Sequence, residues 1–480
     1  MAKPGQIGGE QGAAAPENLA VEIAVPAEVA EMDLYQRREK IYTRAIEGFY
    51  QRIRLFTGWP LLLGFLLLPW LNWEGRQSLL FDLPARQFHV LGLTFWPQDM
   101  TLLAWLLIIA AFALFAVTNL AGRVWCGYSC PQTVWTSIFM WLEQKTEGTR
   151  NQRIKLDCEP WSMRKLRKKA AKHTLWLGFA LLTAVTFVGY FTPIRQLLTA
   201  AFDWSVSPWA MFWIAFFTLA TYINAGWMRE QVCLYMCPYA RFQSAMFDSD
   251  TLIISYDAKR GEPRGGRRRG AQLGLGDCVD CQLCVQVCPT GIDIRDGLQY
   301  ECIGCALCVD ACNSVMEKMR YPRGLIRYAT ENSLRGQVVR IFRPRLIGYM
   351  AMLGVMLAVF SYGISHREVI ELSVLRDRQA LFVTLDNGLI ENRYTVKVAN
   401  KTQRQHQYVL SVKTSLPLRE FRDQVISLQA GELLDWQLTL QVHASALSAA
   451  RTPLLFSIRQ LDDDRNVANV QSSFFGPPPQ

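Results

Sequence analysis

Five runs of the chain are free of charged side chains over long stretches, and strongly polar segments separate them. They cover approximately 55–71, 101–120, 174–192, 208–228 and 346–364. About 20 helical residues cross the roughly 30 Å of hydrocarbon in a bilayer, so each run predicts a membrane-spanning helix. Pro60 and Pro69 blur the ends of the first run. A shorter apolar patch at 88–96 cannot span and is expected at the interface. After residue 367 the pattern changes to alternation: "ALFVTL", "RYTVKVAN", "YVLSV" and "PLLFSIRQL" read as strands parted by turn-like "DNG" and "NKTQRQ". Several short strands in about 110 residues predict a β-sandwich. Residues 1–30 are rich in Ala, Gly, Glu and Pro and lack the apolar core of a signal peptide; they read as a disordered tail.

Basic residues orient the spans, because cytoplasmic loops carry the excess of Lys and Arg. Arg37, Arg38, Lys40, Arg44, Arg52 and Arg54 cluster around the start of the first run, and Arg164, Lys165, Arg167, Lys168, Lys169 and Lys172 precede the third. The other connections hold only Arg76 and Arg86, or Arg195 alone. The amino terminus and the 121–173 and 229–345 segments are therefore expected in the cytoplasm, with everything after 364 outside. Cysteine usage agrees. All 13 cysteines lie between Cys126 and Cys312, on the side where thiols stay reduced. The net charge of +10 follows from residues flanking the spans and implies no nucleic-acid partner. The stretch "KRGEPRGGRRRG" at 259–270 reads as a solvated linker over an acidic leaflet, not as an RNA-binding arm.

Residues 278–312 read "CVDCQLCVQVCPTGIDIRDGLQYECIGCALCVDAC". The spacing C-x2-C-x2-C-x3-C-P, followed by a second C-x2-C-x2-C-x3-C, is the bacterial two-cluster ferredoxin pattern. Three closely spaced thiolates wrap one cubane, and the fourth crosses to the other. Cys278, Cys281, Cys284 and Cys312 are thus assigned to one [4Fe–4S] cluster, and Cys302, Cys305, Cys308 and Cys288 to the second. Zinc sites favour two spaced pairs, which this pattern does not follow. Pro289 follows the first run, whereas Asn313 takes its place after the second. No Gly-rich dinucleotide fingerprint follows a strand, so nicotinamide or flavin binding is not expected and the electron donor stays unnamed.

Two further pairs lie outside this module. "WCGYSCPQTVW" at 125–135 and "VCLYMCPYARF" at 232–242 both contain Cys-x-Tyr-x-Cys-Pro, offset by 107 positions. Each closes an inbound span, which suggests a repeated helical hairpin with Cys126 and Cys130 in one copy and Cys233 and Cys237 in the other. A spacing of four puts two thiols a turn apart on one helix face, and the proline marks a helix terminus. Three roles stay open from the residues: packed free thiols, a dithiol or further iron–sulfur cluster, and a soft-metal site, since thiolates favour Cu(I).

The two Cys-Pro motifs, the eight-cysteine run, "ACNSVMEKM" continuing to "PRGLIRY", the fifth run and the β-rich tail together resemble the cbb3-type cytochrome c oxidase accessory proteins of the CcoG, FixG and RdxA type. The resemblance covers most of the chain. It implies a bacterial inner-membrane protein that reduces Cu(II) to Cu(I) for the oxidase, with oxidase subunits and copper chaperones or transporters as partners. It also implies an immunoglobulin-like domain in the periplasm and a copper or redox role for Cys126, Cys130, Cys233 and Cys237.

The expected fold is a multi-domain membrane protein: an α-helical bundle of about five spans, a cytoplasmic two-cluster ferredoxin module and a C-terminal immunoglobulin-like β-sandwich. Its parts are a tail (1–35), two helical hairpins (36–230), a cytoplasmic segment (231–345) with the module at about 270–320, a fifth span (346–364) and an outer β domain (367–480). The expected function is iron–sulfur electron transfer ending in cupric reduction, that is, a copper oxidoreductase. Electron transfer to quinone or a periplasmic reductase, and redox sensing on an assembly scaffold, are the alternatives. Cys158 reads as a bystander, His173 as an interfacial side chain, and His89 and His366 as residues of the opposite side. The β domain carries no catalytic pattern and reads as a docking module.

Overall fold

Apolar runs set the lengths of the long helices, and polar caps set where they begin. The computed structural model describes residues 40–477 apart from 74, 268–273, 367–368, 378–379, 387, 403, 420 and 464–465. The expected tail at 1–35 and positions 268–270 of the basic linker lie outside the described residues. Five helices are long and apolar enough to cross a membrane. The first, α1 (Phe49–Leu67), runs on through a 3-10 turn to Trp70. A three-stranded antiparallel sheet follows: β1 (Leu79–Asp82), β2 (Gln87–Val90) and β3 (Leu93–Phe95). The apolar patch at 88–96 is thus half a small sheet, which the sequence reading did not foresee; Arg86 and Leu91, both at positive φ, make its turns.

The second span is α2 (Met100–Ala121), and three helices separate it from the next: α3 (Val124–Tyr128), α4 (Pro131–Glu147) and α5 (Arg150–Cys158). The third span, α6 (Met163–Val188), starts well before the expected 174. Ser162 caps it, accepting from the Lys165 amide at 3.2 Å, and the basic run ahead of the apolar stretch forms its first turns. Then come α7 (Ile194–Phe202) and α8 (Pro208–Thr221), with Ser207 as cap and Pro208 at the first helical position. The fourth span finishes as a π-helix, Tyr222–Met228, and a second π turn, Val232–Met236, leads into α9 (Pro238–Met246). Two strands, β4 (Ile253–Tyr256) and β5 (Ile326–Ala329), pair antiparallel and bracket two short helices, α10 (Leu283–Val287) and α11 (Leu307–Met319). The cysteine module is therefore wider than the expected 270–320. The fifth span is α12 (Pro344–Ser365).

Packing departs from two simple hairpins. Spans three and four do lie together, α6 along α8, but α2 packs chiefly along α12. Only 6–39% of each span's apolar window is buried, and side chains such as Leu107, Phe212 and Val355 stay exposed. Apolar faces of that extent need lipid, so the chain is a multi-pass membrane protein.

A buried group of charges joins α4, α5, α6 and the first π segment. Glu143 and Glu147 are fully buried on α4. Glu143 Oε2 accepts from Arg153 at 3.2 Å and from Arg229 at 2.8 Å, while Glu147 Oε1 meets Lys169 at 2.9 Å and Lys172 at 3.0 Å. Trp176 lies under Lys172 and Arg229, 4.8 and 5.4 Å from its ring centre. The basic residues of α6 thus have partners inside the protein as well as beside the bilayer.

The C-terminal region is a sandwich of two sheets. Its strands are β6 (Ile370–Arg376), β7 (Leu389–Asn400), β8 (His406–Lys413), β9 (Gln424–Leu428), β10 (Leu433–His443), β11 (Arg451–Gln460) and β12 (Val467–Phe475). One sheet has the order β10-β7-β6, with the short Val383–Thr384 strand also on β7; the other has the order β9-β8-β11-β12. Tyr394, Tyr408, Phe456 and Phe474 fill the space between them. The sandwich rests on the connector between the first two spans: Lys401 bridges Asp99 at 3.5 Å and Glu371 at 2.8 Å, and Gln87 donates to the Gly431 carbonyl.

The charge group sets a test. Glu143→Gln leaves Arg153 and Arg229 facing a neutral amide, and a broken buried pair costs about 3–5 kcal/mol. Thermal unfolding in detergent is expected to show a clear fall in the midpoint. Lys397→Ala, which removes an exposed pair with Asp435, is expected to change stability by less than about 1 kcal/mol.

Candidate iron–sulfur and thiol site

The two cysteine loops share one backbone design. Asp280 and Gln282 in the first, and Gly304 and Ala306 in the second, all take positive φ. These left-handed residues turn each loop sharply before α10 and α11 begin. Cys278, Cys281, Cys284 and Cys312 then line one small cavity with Val315, Met316 and Ile326. Cys288, Cys302, Cys305 and Cys308 line a second with Ile254, Ile294 and Ile303, and Cys284 borders it as well. The crossed sets inferred from spacing are the sets that ring these cavities. Burial pushes the Cys284 thiol up to about 11, and Cys302 and Cys312 up to about 12. Thiols held so high are protonated at neutral pH, so iron ligation here must release protons. Apolar walls and four converging thiols per cavity fit iron–sulfur clusters. Asn313, which replaces the expected proline, accepts from the Gly324 amide at 2.9 Å and ties α11 to the turn before β5.

The two Cys-Pro motifs come together beside this module. Each is a break between helices. Cys126 lies in α3, but Cys130 lies beyond it in extended backbone, with Pro131 opening α4. Cys233 lies in the second π turn, and Cys237 precedes Pro238 at the start of α9. The expected placement of both thiols on one helix face therefore does not hold, because each proline starts a new helix. The four thiols still act on one another through charge: burial first, then Cys130, pushes the Cys126 thiol up to about 12, with Cys233 and Cys237 adding to it. Cys233 is pushed up to about 12 by burial, then by Cys130 and Cys237. Cys126 donates to Gln243 Oε1 at 3.4 Å. Among the described residues no three His, Cys, Asp or Glu side chains converge closely enough to hold one bare metal ion.

The internal repeat is visible in the backbone. Gly122 has φ 56° and ψ −127°, and Arg229, at the same 107-residue offset as the cysteines, has φ 46° and ψ −110°. Glycine tolerates this conformation and arginine does not. Bonds from the Arg229 guanidinium to the Gly226 carbonyl and to Glu143, both 2.8 Å, hold it there.

Contact between the thiol group and the second cysteine loop is backbone on backbone. A Cβ on Gly127 would lie 2.8 Å from Cys305 Cα, and one on Gly304 would lie 3.1 Å from the Arg123 carbonyl. Arg123 is buried, donates to the Ala240 carbonyl, and lies over Tyr300. Its charge opposes the upward push on Cys126, Cys233 and Cys302 alike. Sequence reasoning missed Arg123, Gly127 and Gln243, although an Arg three positions before a membrane-edge cysteine was a usable sign.

The remaining predicted residues lie elsewhere. Cys158 is exposed at the end of α5. His173 bonds Tyr222 at 2.8 Å within an aromatic group that includes Trp176 and Trp227. His89 is buried between Arg76 and Thr94, and burial followed by the Arg76 charge lowers its pKa. His366 stacks on Tyr362.

Comparison with known proteins bears on this arrangement. A 4Fe-4S dicluster domain matches residues 228–331, a 4Fe-4S binding domain matches 103–148, and the IG-like fold at the C-terminal of FixG matches 360–477. The nitrogen fixation protein FixG of Rhizobium meliloti is 38% identical over 420 residues, 79% of this chain and 80% of that protein. Protein RdxB of Cereibacter sphaeroides is 40% identical over 402 residues, 80% of this chain and 84% of that protein. The chain belongs to the FixG/RdxA/RdxB family. The family makes it an iron–sulfur electron-transfer protein of the membrane with an Ig-like C-terminal domain. A crystal structure of a FixG-related protein from Vibrio parahaemolyticus aligns with 23% of this chain and 97% of its own, at 30% identity and a TM-score of 0.20.

The crossed cavities yield a prediction. Cys281→Ser is expected to cost one cluster and keep the other, so iron falls from about eight to about four atoms per chain. Cys305→Ser is expected to do the same for the other cavity, with a different residual EPR signal of the reduced protein.

Proposed function

We propose that this protein reduces Cu(II) to Cu(I) at the thiol group Cys126, Cys130, Cys233 and Cys237, in support of copper delivery to a cbb3-type cytochrome c oxidase. The observation that carries this is the seating of α3, through Gly127, directly on the Gly304–Cys305 backbone. Cys278, Cys281, Cys284 and Cys312 hold one [4Fe–4S] cluster and Cys288, Cys302, Cys305 and Cys308 the other; together the clusters supply one-electron storage and relay. Soft thiolates favour the product ion over the substrate ion. Each Cu(II) takes one electron and leaves as Cu(I) to a chaperone or oxidase subunit. Arg123 favours the thiolate form of the receiving cysteines and limits the net negative charge of a four-thiolate group.

The basic termini of the spans support a cytoplasmic position for the amino terminus and both cysteine sites, in a bacterial inner membrane. The sandwich, on the same end as the β1–β3 connector, belongs on the periplasmic side and serves as the docking surface for oxidase or copper-carrying partners.

One observation favours a second reading. The 4Fe-4S binding domain that matches 103–148 spans only two cysteines, Cys126 and Cys130. With Cys233 and Cys237 they complete a four-thiol set, so a third cluster is the alternative occupant.

Anaerobic protein with reduced clusters, mixed with Cu(II) and a Cu(I)-specific chelator, tests both readings. Copper-dependent reoxidation is expected, and the quadruple Cys→Ser variant is expected to lose it at least about 10-fold while keeping about eight iron atoms. A fall from about twelve iron atoms to eight in that variant favours the third cluster. Unchanged copper reduction in the variant overturns the copper role of the thiols. Gly127→Val is expected to retain the iron and lower the reoxidation rate, because its side chain pushes α3 off the Cys305 loop.

A further inference from the structure

One cavity lies apart from the cysteine sites. It has a volume of about 340 Å³ and lies between α1 and α4, lined mostly by apolar atoms. Trp59 and Trp141, each about half exposed, stand where it opens on the apolar faces of the two helices. At its polar end are Gln51, Arg54, Ser137 and Tyr128. Arg54 donates to Ser137 Oγ at 2.7 Å, and its guanidinium is the charged group at this end. A guanidinium is a donor-only group, so this end suits a ligand that brings an acceptor oxygen.

The polar end is wired to the second cysteine loop. Tyr128 and Tyr328 share a hydrogen bond of 3.2 Å, and Tyr328 donates to the Gly304 carbonyl at 2.6 Å, one residue before Cys305. The Arg54 charge also acts on the Cys305 thiol. On the other side, Asp310 of α11 accepts from the Tyr50 and Gln51 amides at 3.2 and 2.8 Å and fixes the first turn of α1 to the module.

We infer that this cavity binds the ring of a lipid-soluble quinone, entering from the bilayer, and that the iron–sulfur module exchanges electrons with the membrane carrier pool there. A ring with two carbonyl oxygens and an isoprenoid tail matches the cavity's volume, apolar walls and single cationic end. A phospholipid also brings chains for the walls and an ester or phosphate oxygen for Arg54, and competition with a quinone probe separates the two occupants. Hydroquinone in the cavity gives up two electrons, one for each cluster, and its two hydroxyl protons go to water; quinone takes up the same electrons and protons in reverse. The site therefore supplies the missing redox partner of the cysteine module. It rests on the clusters being present, but not on copper being the final acceptor.

The test uses the full chain with its clusters in nanodiscs, and decyl-substituted benzoquinone as the probe. Two readouts are taken: quenching of tryptophan fluorescence on binding, and anaerobic reoxidation of dithionite-reduced clusters. Gly58→Leu fills the cavity, since a Cβ there meets only the Val134 methyls at 3.5 and 3.7 Å. Ile138→Phe narrows it from α4 and guards against a folding defect in the first variant. Each variant is expected to weaken quenching and slow quinone-driven reoxidation at least 10-fold, while its EPR spectrum and copper-driven reoxidation stay unchanged. Wild-type rates with quinone in both variants overturn the inference. So does a co-purifying phospholipid that the probe does not displace. Loss of copper-driven reoxidation alone, with the quinone response intact, counts against the copper reading and leaves this one standing.

Discussion

The membrane helices meet the cysteine module where two backbones touch and no side chain fits. Gly127 and Gly304 let α3 lie on the second cysteine loop with no Cβ between them. A contact made of main chain alone cannot be retuned by changing side chains; it is present or it is lost. It is also what makes the repeat useful. The two Cys-Pro breaks come from separate copies of the repeat, yet Arg123 acts on cysteines of both. Asp310 caps α1 from α11, so the membrane bundle and the module hold each other's ends.

Charge burial serves the same geometry. Four cations around Glu143 and Glu147 would be a poor investment for stability alone, because desolvation offsets most of the attraction. Their effect is positional. They lock the end of the first π segment, four residues before Cys233, to the helix that follows Cys130. An exposed set of the same charges would leave the two motifs free to slide along the bilayer surface.

Much of this was legible in the residues. The five apolar helices and the two cysteine-lined cavities follow from period and spacing, since bilayer thickness and cubane ligation each impose a fixed number of residues. In the sandwich the central strands β7, β8 and β11 were recognised, whereas β6, β9, β10 and β12 were not. All four of these are edge strands, whose exposed backbone tolerates polar residues on both faces and so blurs alternation. Arg123, Gln243 and the Glu143 group escaped because their roles come from long-range contacts that carry no local period. The pairing of α2 with α12 is equally invisible, because the two runs lie more than 200 residues apart.

Arg229 carries a history. Its first-copy counterpart is glycine, which adopts the bent backbone unaided, whereas the second copy holds the same shape by borrowing Glu143 from the first. Such borrowing is hard to undo. Once one duplicate's fold leans on a carboxylate carried by the other, neither half remains a module that recombination could move elsewhere. The two copies stand or fall as a single unit.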